Sequence, residues 1–475
     1  MRRYAFVGTG SRARMYLDAL LGPYADLGRP VAFCDTNEVR MAYYDRVAGA
    51  PLPHYAPDDY DRVLKGSDVV VVTSPDSTHA GYVSRALRAG VDVVVEKPMT
   101  TELEGLRQIG SALTGGTAEL TVTFNYRYSP RNSLIRQLIA DGEIGDVTSV
   151  TFEWCLDTVH GADYFRRWHR DKAVSGGLLV HKATHHFDLV NWWLDDRPEV
   201  VFARGGLHFY GPANAARRGL GPRPERGPVA GDPFTLDLAS DEKLRELYRA
   251  GEHLDGYIRD RDVFSDGITI EDNLNVVVGF RGGASMSYSL HAHCPWEGYR
   301  VAINGTAGRI ELDVVERPHV SAMDASATIG AATANPDSGT ARGPAAGRER
   351  EPGPAARREG EPGSEGLEPS AEPGGSGSGL ADSGHRARGS RLLLQRHWEP
   401  AVEIPIPDGA GGHGGGDAML LRDVFRGPSG DPLRRQAGFA DGAASVLVGV
   451  AGNESLRTGR AVRLDELEPI PGMSA

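Results

Sequence analysis

Tyr4-Ala5-Phe6-Val7-Gly8-Thr9-Gly10-Ser11-Arg12-Ala13 runs an apolar strand into a glycine turn and on into helix-forming residues. Gly8 allows the tight turn, Gly10 lets the backbone come close to an anionic group, and Ala13 stands where a third glycine lets helix and strand approach. A second strand, Pro30-Val31-Ala32-Phe33-Cys34, ends on Asp35. Strand, glycine turn, helix and an acidic residue closing the next strand together form a dinucleotide fingerprint, with the phosphates at the helix N-terminus. Asp35 can accept from a ribose 2′-hydroxyl and would repel a 2′-phosphate, which favours NAD; Arg40 downstream keeps NADP open.

Outward from this turn, residues 3 to 124 alternate branched apolar runs with helical stretches. Asp68–Ser74 reads as a strand buried on both faces, Val91–Glu96 as a further strand, and His79–Ala89 as a helix. Continuous valine runs between amphipathic helices predict a doubly wound parallel sheet, the Rossmann arrangement, over residues 1–124. The run Val91–Val95 ends in Glu96-Lys97-Pro98-Met99. Strand ends of such a sheet are where ligands bind, and an ammonium there can polarise a carbonyl or hold an alkoxide.

The glycine turn followed by Glu-Lys-Pro resembles the Gfo/Idh/MocA family of NAD(P)-dependent sugar and cyclitol oxidoreductases. The resemblance implies cofactor contacts at Gly8, Thr9, Gly10, Ser11, Arg12, Ala13, Asp35, Glu96 and Lys97. A Pro-x-x-x-His turn beside the cofactor in that family matches Ser74-Pro75-Asp76-Ser77-Thr78-His79, which adds Ser74 and His79; an N-cap by Ser77 or Thr78 with an exposed His79 is the plainer alternative.

After residue 124 the pattern changes to a helix at Ser133–Asp141 and strands at Val147–Trp154, Glu199–Gly205, Asn273–Phe280, Ala284–His293, Tyr299–Asn304 and Gly308–Val314. Adjacent strands with few helices predict an α+β domain with a mostly antiparallel sheet over 125–321 and 391–475, closed by a helix at Ala437–Leu456. The family uses such a sheet for substrate on one face and oligomer contacts on the other, which implies a homo-oligomer, dimer or tetramer. Residues 322–390 are rich in Gly, Pro, Ala, Glu, Arg and Ser, and are expected to be a disordered insertion.

Ser175-Gly176-Gly177-Leu178-Leu179-Val180-His181-Lys182-Ala183-Thr184-His185-His186-Phe187-Asp188 carries the candidate chemistry. On one continuous helix, Val180, Ala183, Phe187, Val190 and Leu194 share a core face, and His181, Lys182, His185 and Asp188 lie opposite. The family pattern resembles Gly-Gly-x-x-x-Asp-x-x-x-His-x-x-Asp. His185 then matches the histidine that acts as general base, while His181 stands where the family has aspartate. Lys97, His181, Lys182 and His185 are the catalytic candidates; Arg127, Asp188 and His413 are candidate substrate contacts. An ordinary solvated face, and metal ligation by the i, i+4 pair His181 and His185 or by His291, His293, His413 and Asp417, are the alternatives weighed, with no metal expected.

The chain has 475 residues and a formal charge of −12, which argues against nucleic acid as a partner. No apolar run spans a membrane, nothing reads as a signal peptide, and Cys34, Cys155 and Cys294 suggest neither a disulfide framework nor a zinc site. A cytoplasmic NAD-dependent oxidoreductase acting on a secondary alcohol of a sugar, glycoside or cyclitol is expected. Two rivals remain open. One is a glycoside-cleaving enzyme that recycles its own NAD, since some such relatives carry a His-Gly-Gly-x-Asp loop similar to His413–Asp417. The other is a non-catalytic NAD or sugar sensor.

Overall fold

The structure, a computed structural model, describes residues 1–321, 386–409, 412–428, 430–467 and 469–473. Two sheets organise it. The first contains β1 (Arg2–Val7), β2 (Gly28–Cys34), β3 (His54–Tyr55), β4 (Val69–Val72), β5 (Asp92–Val95) and β6 (Leu120–Val122), in the order β3-β2-β1-β4-β5-β6. Every pairing is parallel. Val69 to Val72 are buried on both faces, as a strand covered by helices on either side requires. The order reverses between β1 and β4, so their carboxyl ends open a crevice at the switch point.

The second sheet is built from β7 (Val147–Asp157), β8 (Pro198–Gly206), β9 (Asn273–Phe280), β10 (Ser285–Cys294), β11 (Glu297–Gly305), β12 (Gly308–Arg317), β13 (Gly389–Arg396), β14 (Val402–Ile404) and β15 (Val462–Arg463), in the order β14-β13-β12-β11-β7-β10-β9-β8-β15. Only β7 and β10 pair in parallel. Burial alternates along β10: Met286, Tyr288 and Leu290 are buried while Ser285 and Ser287 face outward. The inner face packs beneath the helices Thr184–Leu194 and Phe439–Thr458, with Ala203 N donating to Ser455 Oγ at 2.9 Å.

Several expectations are corrected. The stretch 175–194 is not one helix. Gly176 and Gly177 adopt positive φ, a short helix spans Leu178–His181, and a second starts at Thr184. His181, Lys182, His185 and Asp188 therefore do not form an outer stripe; all four are buried, because sheet and closing helix enclose the segment from both sides. His79 is buried as well, and the helix it opens has no side-chain cap. The glycine-rich stretch near His413 starts a helix, Gly412–Arg426, instead of a loop; the His413 side chain lies outside what is described. Cys155 and Cys294, remote in sequence, lie on the neighbouring strands β7 and β10 as free thiols.

Most of the expected insertion, residues 322–385, lies outside the described residues, and β13 already starts at Gly389. The strands flanking it, β12 and β13, pair antiparallel from Gly308↔Arg396 to Val315↔Gly389, so the chain leaves and returns at adjacent points. Replacing residues 325–388 by a short Gly/Ser linker should change stability by less than about 2 kcal/mol, because loop length enters closure entropy only logarithmically. A thermal melt checks this; a large drop in the midpoint would refute it.

Three buried histidines give the fold a pH signature. Burial holds the imidazoles of His79, His169 and His186 below their ordinary 6.5, well below for the latter two. Below pH 6.5 the unfolded chain binds protons that these folded sites refuse, so stability falls on acidification, by up to about 1.4 kcal/mol per pH unit for each histidine. Urea unfolding at pH 7.5, 6.5 and 5.5 should show this decline, and His186→Gln should flatten it. A wild-type stability that is level over that range would contradict the assignment.

Candidate active site and cofactor turn

At the glycine turn, Gly8 has φ +86°, and a Cβ there would lie 2.5 Å from the backbone of Ser74. The ends of β1 and β4 thus touch at a point only glycine permits. Asp35 Oδ2 accepts from Thr9 N at 2.6 Å and Thr9 Oγ1 at 2.8 Å; Oδ1 accepts from Asn37 N at 2.9 Å and Arg40 Nη2 at 3.0 Å. Tyr44 donates to the Gly10 carbonyl at 2.6 Å. Ser11 N donates to the Tyr248 hydroxyl oxygen at 2.9 Å, and Ser11 Oγ lies 2.8 Å from it.

That phenol oxygen tests the turn as a phosphate cradle. It rests where the amide that follows the glycine turn converges with a serine hydroxyl, donors of the kind a diphosphate oxygen uses. Burial would raise the Tyr248 phenol, but Arg259 and Arg167, together with the Ser11 donors, pull it below its usual range. The surroundings favour negative charge, so the residues fit a dinucleotide.

Glu96 is braced from the same side: Arg12 Nε donates to its Oε1 at 2.6 Å and the Tyr16 hydroxyl at 2.5 Å. Its partner in an ion pair is Arg12, which leaves the next residue, Lys97, to turn elsewhere. Lys97 is buried and its Nζ donates to the carbonyl oxygen of His181 at 3.1 Å. His79 bridges the two strand ends, with Nδ1 2.8 Å from Pro98 O and Nε2 2.8 Å from Ser74 O. Ser74 Oγ lies 2.7 Å from Thr78 Oγ1. The structure thus makes His79 a brace under the turn and ties Ser74 to its own loop.

The second motif arrives from above. His181 Nδ1 is 2.5 Å from Asp76 Oδ2. Asp76 belongs to the turn after β4, so a carboxylate reaches this imidazole from another element. Its signal was in the turn Pro75–His79, but nothing in sequence links it to His181, 105 residues away. His169, also missed, stacks on Trp168 with centroids 3.7 Å apart and meets the His181 ring edge-on at 4.1 Å. Burial first, then the neighbouring His181, Arg167 and Lys97, pushes the His169 imidazole well below its ordinary value.

Lys182 lies over the rings of Trp154 (5.0 Å) and Tyr126 (5.7 Å), and Tyr126 packs 4.7 Å from the His185 ring. Aromatic faces suit a buried ammonium. Lys97, His181, Lys182 and His185 are therefore gathered into one buried cluster with Asp76. Arg127 and Asp188 are drawn into a different arrangement: a bidentate ion pair at 2.5 and 2.7 Å, with Asp441 2.9 Å from the same guanidinium. That network engages Arg127 Nε and Nη2 and both Asp188 oxygens inside the fold, where both residues are buried. His291 bonds Asn273 at 2.8 Å and His293 stacks on Phe209 at 4.8 Å. Among the described residues no three His, Cys, Asp or Glu side chains converge as a metal requires.

Comparison with known proteins places this geometry. Residues 2–124 match the oxidoreductase-family NAD-binding Rossmann fold, and residues 136–334 the C-terminal alpha/beta domain of the same family. YteT of Bacillus subtilis (strain 168), itself named only as a candidate oxidoreductase, is 32% identical over 494 residues, covering 98% of this chain and 99% of its own. The inositol 2-dehydrogenase of Rhizobium meliloti is 30% identical over 205 residues, 43% of this chain and 58% of its own. An aldose-aldose oxidoreductase from Caulobacter crescentus shares the fold with a TM-score of 0.57 at 16% identity, covering 97% of this chain and 99% of its own. The WlbA dehydrogenase from Bordetella pertussis, solved with NADH and UDP-GlcNAcA, does so with 0.58 at 16%, covering 97% and 98%. With both halves matched in order and a relative aligned from end to end, this chain belongs to the Gfo/Idh/MocA family and is a dehydrogenase or reductase with an NAD-binding Rossmann domain.

Proposed function

We propose that this oxidoreductase transfers hydride between a secondary alcohol of a sugar, glycoside or cyclitol and NAD. The observation that carries the reading is the convergence of Lys97 and the His181–Asp76 pair at the carboxyl ends of β5 and β4, beside the glycine turn. Inositol 2-dehydrogenases among the relatives support the substrate class.

When bound, the nicotinamide supplies the hydride acceptor or donor. The chain's own residues do the rest. Gly8, Thr9, Gly10, Ser11, Arg12 and Ala13 form the diphosphate turn, and Asp35 faces the adenosine ribose. His185, whose imidazole can accept a proton, takes the hydroxyl proton. Lys97 holds the oxygen as its charge develops and as it becomes a carbonyl. His181, fixed through Nδ1 by Asp76, orients the substrate. Lys182, on its aromatic bed, adds positive charge. The tryptophan and tyrosine rings keep water from the reacting atoms.

One observation favours a second reading, transient oxidation followed by cleavage of a glycoside with NAD recycled. Asp417, of the motif His413–Asp417, accepts from Asn125 Nδ2 at 2.8 Å, and a Cβ on Gly416 would come 2.3 Å from the Asn125 carbonyl, so the motif docks tightly at the start of the second domain. Net NADH formation separates the two, because a recycling enzyme produces none. Assembly into a dimer or tetramer is supported by the outer face of the second sheet, where Phe202 and Val277 are exposed. A cytoplasmic site is supported by three free thiols; no described helix is long and apolar enough to cross a membrane.

A panel of sugars and cyclitols read by NADH absorbance tests the function. Failure of every polyol to reduce NAD, with aglycone released from a glycoside instead, would move the enzyme to the second reading. Lys97→Met should lower kcat by roughly 100-fold or more while NAD affinity stays within a few-fold, since the ammonium acts in the transition state. Equal losses in both would make Lys97 a cofactor ligand only. Asp76→Asn should reduce kcat by about 10- to 100-fold and displace the pH–rate profile, because His181 loses the carboxylate that favours its protonated form. An unchanged pH profile would show that Asp76 merely packs there.

A further inference from the structure

The segment between β8 and β9 folds back onto the cofactor edge of the parallel sheet. Tyr248 meets Ser11 as described, and Glu246 pairs with Arg46. Asn37 Nδ2 donates to the Gly251 carbonyl at 2.8 Å, and a Cβ on Gly251 would lie 2.7 Å from Asn37 Oδ1, so the docking demands glycine there. Asp255 ends the short helix Glu252–Asp255, closed by Gly256 at φ +69°, and makes an ion pair with Arg40.

Arg40 therefore stands between two carboxylates. Asp35 Oδ1 accepts from its Nη2 at 3.0 Å, and Asp255, 215 residues further on, accepts from the same nitrogen. Asp35 is already engaged by Thr9 and Asn37, and Arg40 is buried. A 2′-phosphate on the adenosine ribose would need a cation at this corner, and Arg40 is the guanidinium nearest Asp35. One guanidinium facing two carboxylates leaves the corner net negative.

We propose that Asp255 is a cofactor-specificity residue. It holds Arg40 against Asp35 and adds a second negative charge, so that the corner rejects a 2′-phosphate and selects NAD. The proposal rests on Asp35 facing the adenosine ribose. It differs from that reading because it assigns discrimination to a residue of the second domain, delivered by a segment without a counterpart in the nucleotide fingerprint.

The test is calorimetric titration of nucleotide-free full-length protein with NAD⁺ and NADP⁺, which reads binding without substrate or turnover. Asp255→Asn should tighten NADP⁺ by about tenfold or more, the scale of relieving a like charge in a partly buried site, and leave NAD⁺ within about threefold. The gain should vanish in the Asp255→Asn, Arg40→Gln double variant, since the freed guanidinium is what binds the phosphate. Tyr248→Phe, which loosens the docking without changing charge, should shift both nucleotides alike. An Asp255→Asn variant that also shifts both alike, or leaves NADP⁺ unchanged, overturns the proposal, and so does a wild type that prefers NADP⁺. Asp35→Asn separates the underlying reading: if it alters the NAD⁺ to NADP⁺ ratio while Asp255→Asn does not, only the role of Asp255 falls. If Asp35→Asn leaves the ratio untouched, the placement of the ribose falls with it.

Discussion

The hydrogen bond from Lys97 Nζ to the His181 carbonyl oxygen is the contact on which the arrangement of this molecule turns. It joins the end of a strand in the parallel sheet to a break between two helices of the second domain. A buried ammonium is costly unless its donors are met, and a charge-assisted bond of this kind contributes about 1.5–3 kcal/mol. The carbonyl is available because the helix stops at His181. A continuous helix would have committed that oxygen to an amide one turn later. The interruption at Lys182 therefore both turns the Lys182 side chain inward over Trp154 and leaves an acceptor for Lys97.

The same junction explains how the His181 imidazole is held in place. Asp76 holds the imidazole at Nδ1, and its own turn is held by His79, whose ring reaches both Ser74 and Pro98. The two strand ends, the glycine contact between Gly8 and Ser74, and the second-domain histidine form one connected scaffold. An imidazole backed by a carboxylate is longer than a carboxylate alone and can donate as well as accept.

What the sequence disclosed follows from how local each signal is. The glycine turn, the four consecutive valines of β4 and the Glu-Lys-Pro run are contiguous, so their spacing alone defined the parallel sheet and put Lys97 at a strand end. The antiparallel sheet was legible from successive strands with few helices between them, with Asn273–Phe280 bounded as the structure has it. The helix stripe failed because a single register was carried across Lys182. Here both faces are covered, and the charges are met by Asp76, Asp441 and aromatic rings brought from elsewhere. The segment between β8 and β9 was not read at all: its short helices lack a sustained period, and its meaning lies in contacts with residues 11, 37 and 40 that are more than 200 positions away.

The buried guanidinium of Arg127 has a consequence for the order in which the polypeptide can assemble. It is shared by Asp188 and Asp441, and a surrounding helix and strand β8 are stitched to the same late region through Trp192 Nε1 on the Leu433 carbonyl and Ala203 N on Ser455. These bonds cannot close until the helix Phe439–Thr458 has left the ribosome, although the strands it covers are translated hundreds of codons earlier. The nucleotide half has most of its parallel sheet in hand by residue 122. During synthesis the chain therefore carries a nearly complete nucleotide fold beside an apolar sheet still waiting for its cover, and that interval is when the nascent protein most needs a chaperone.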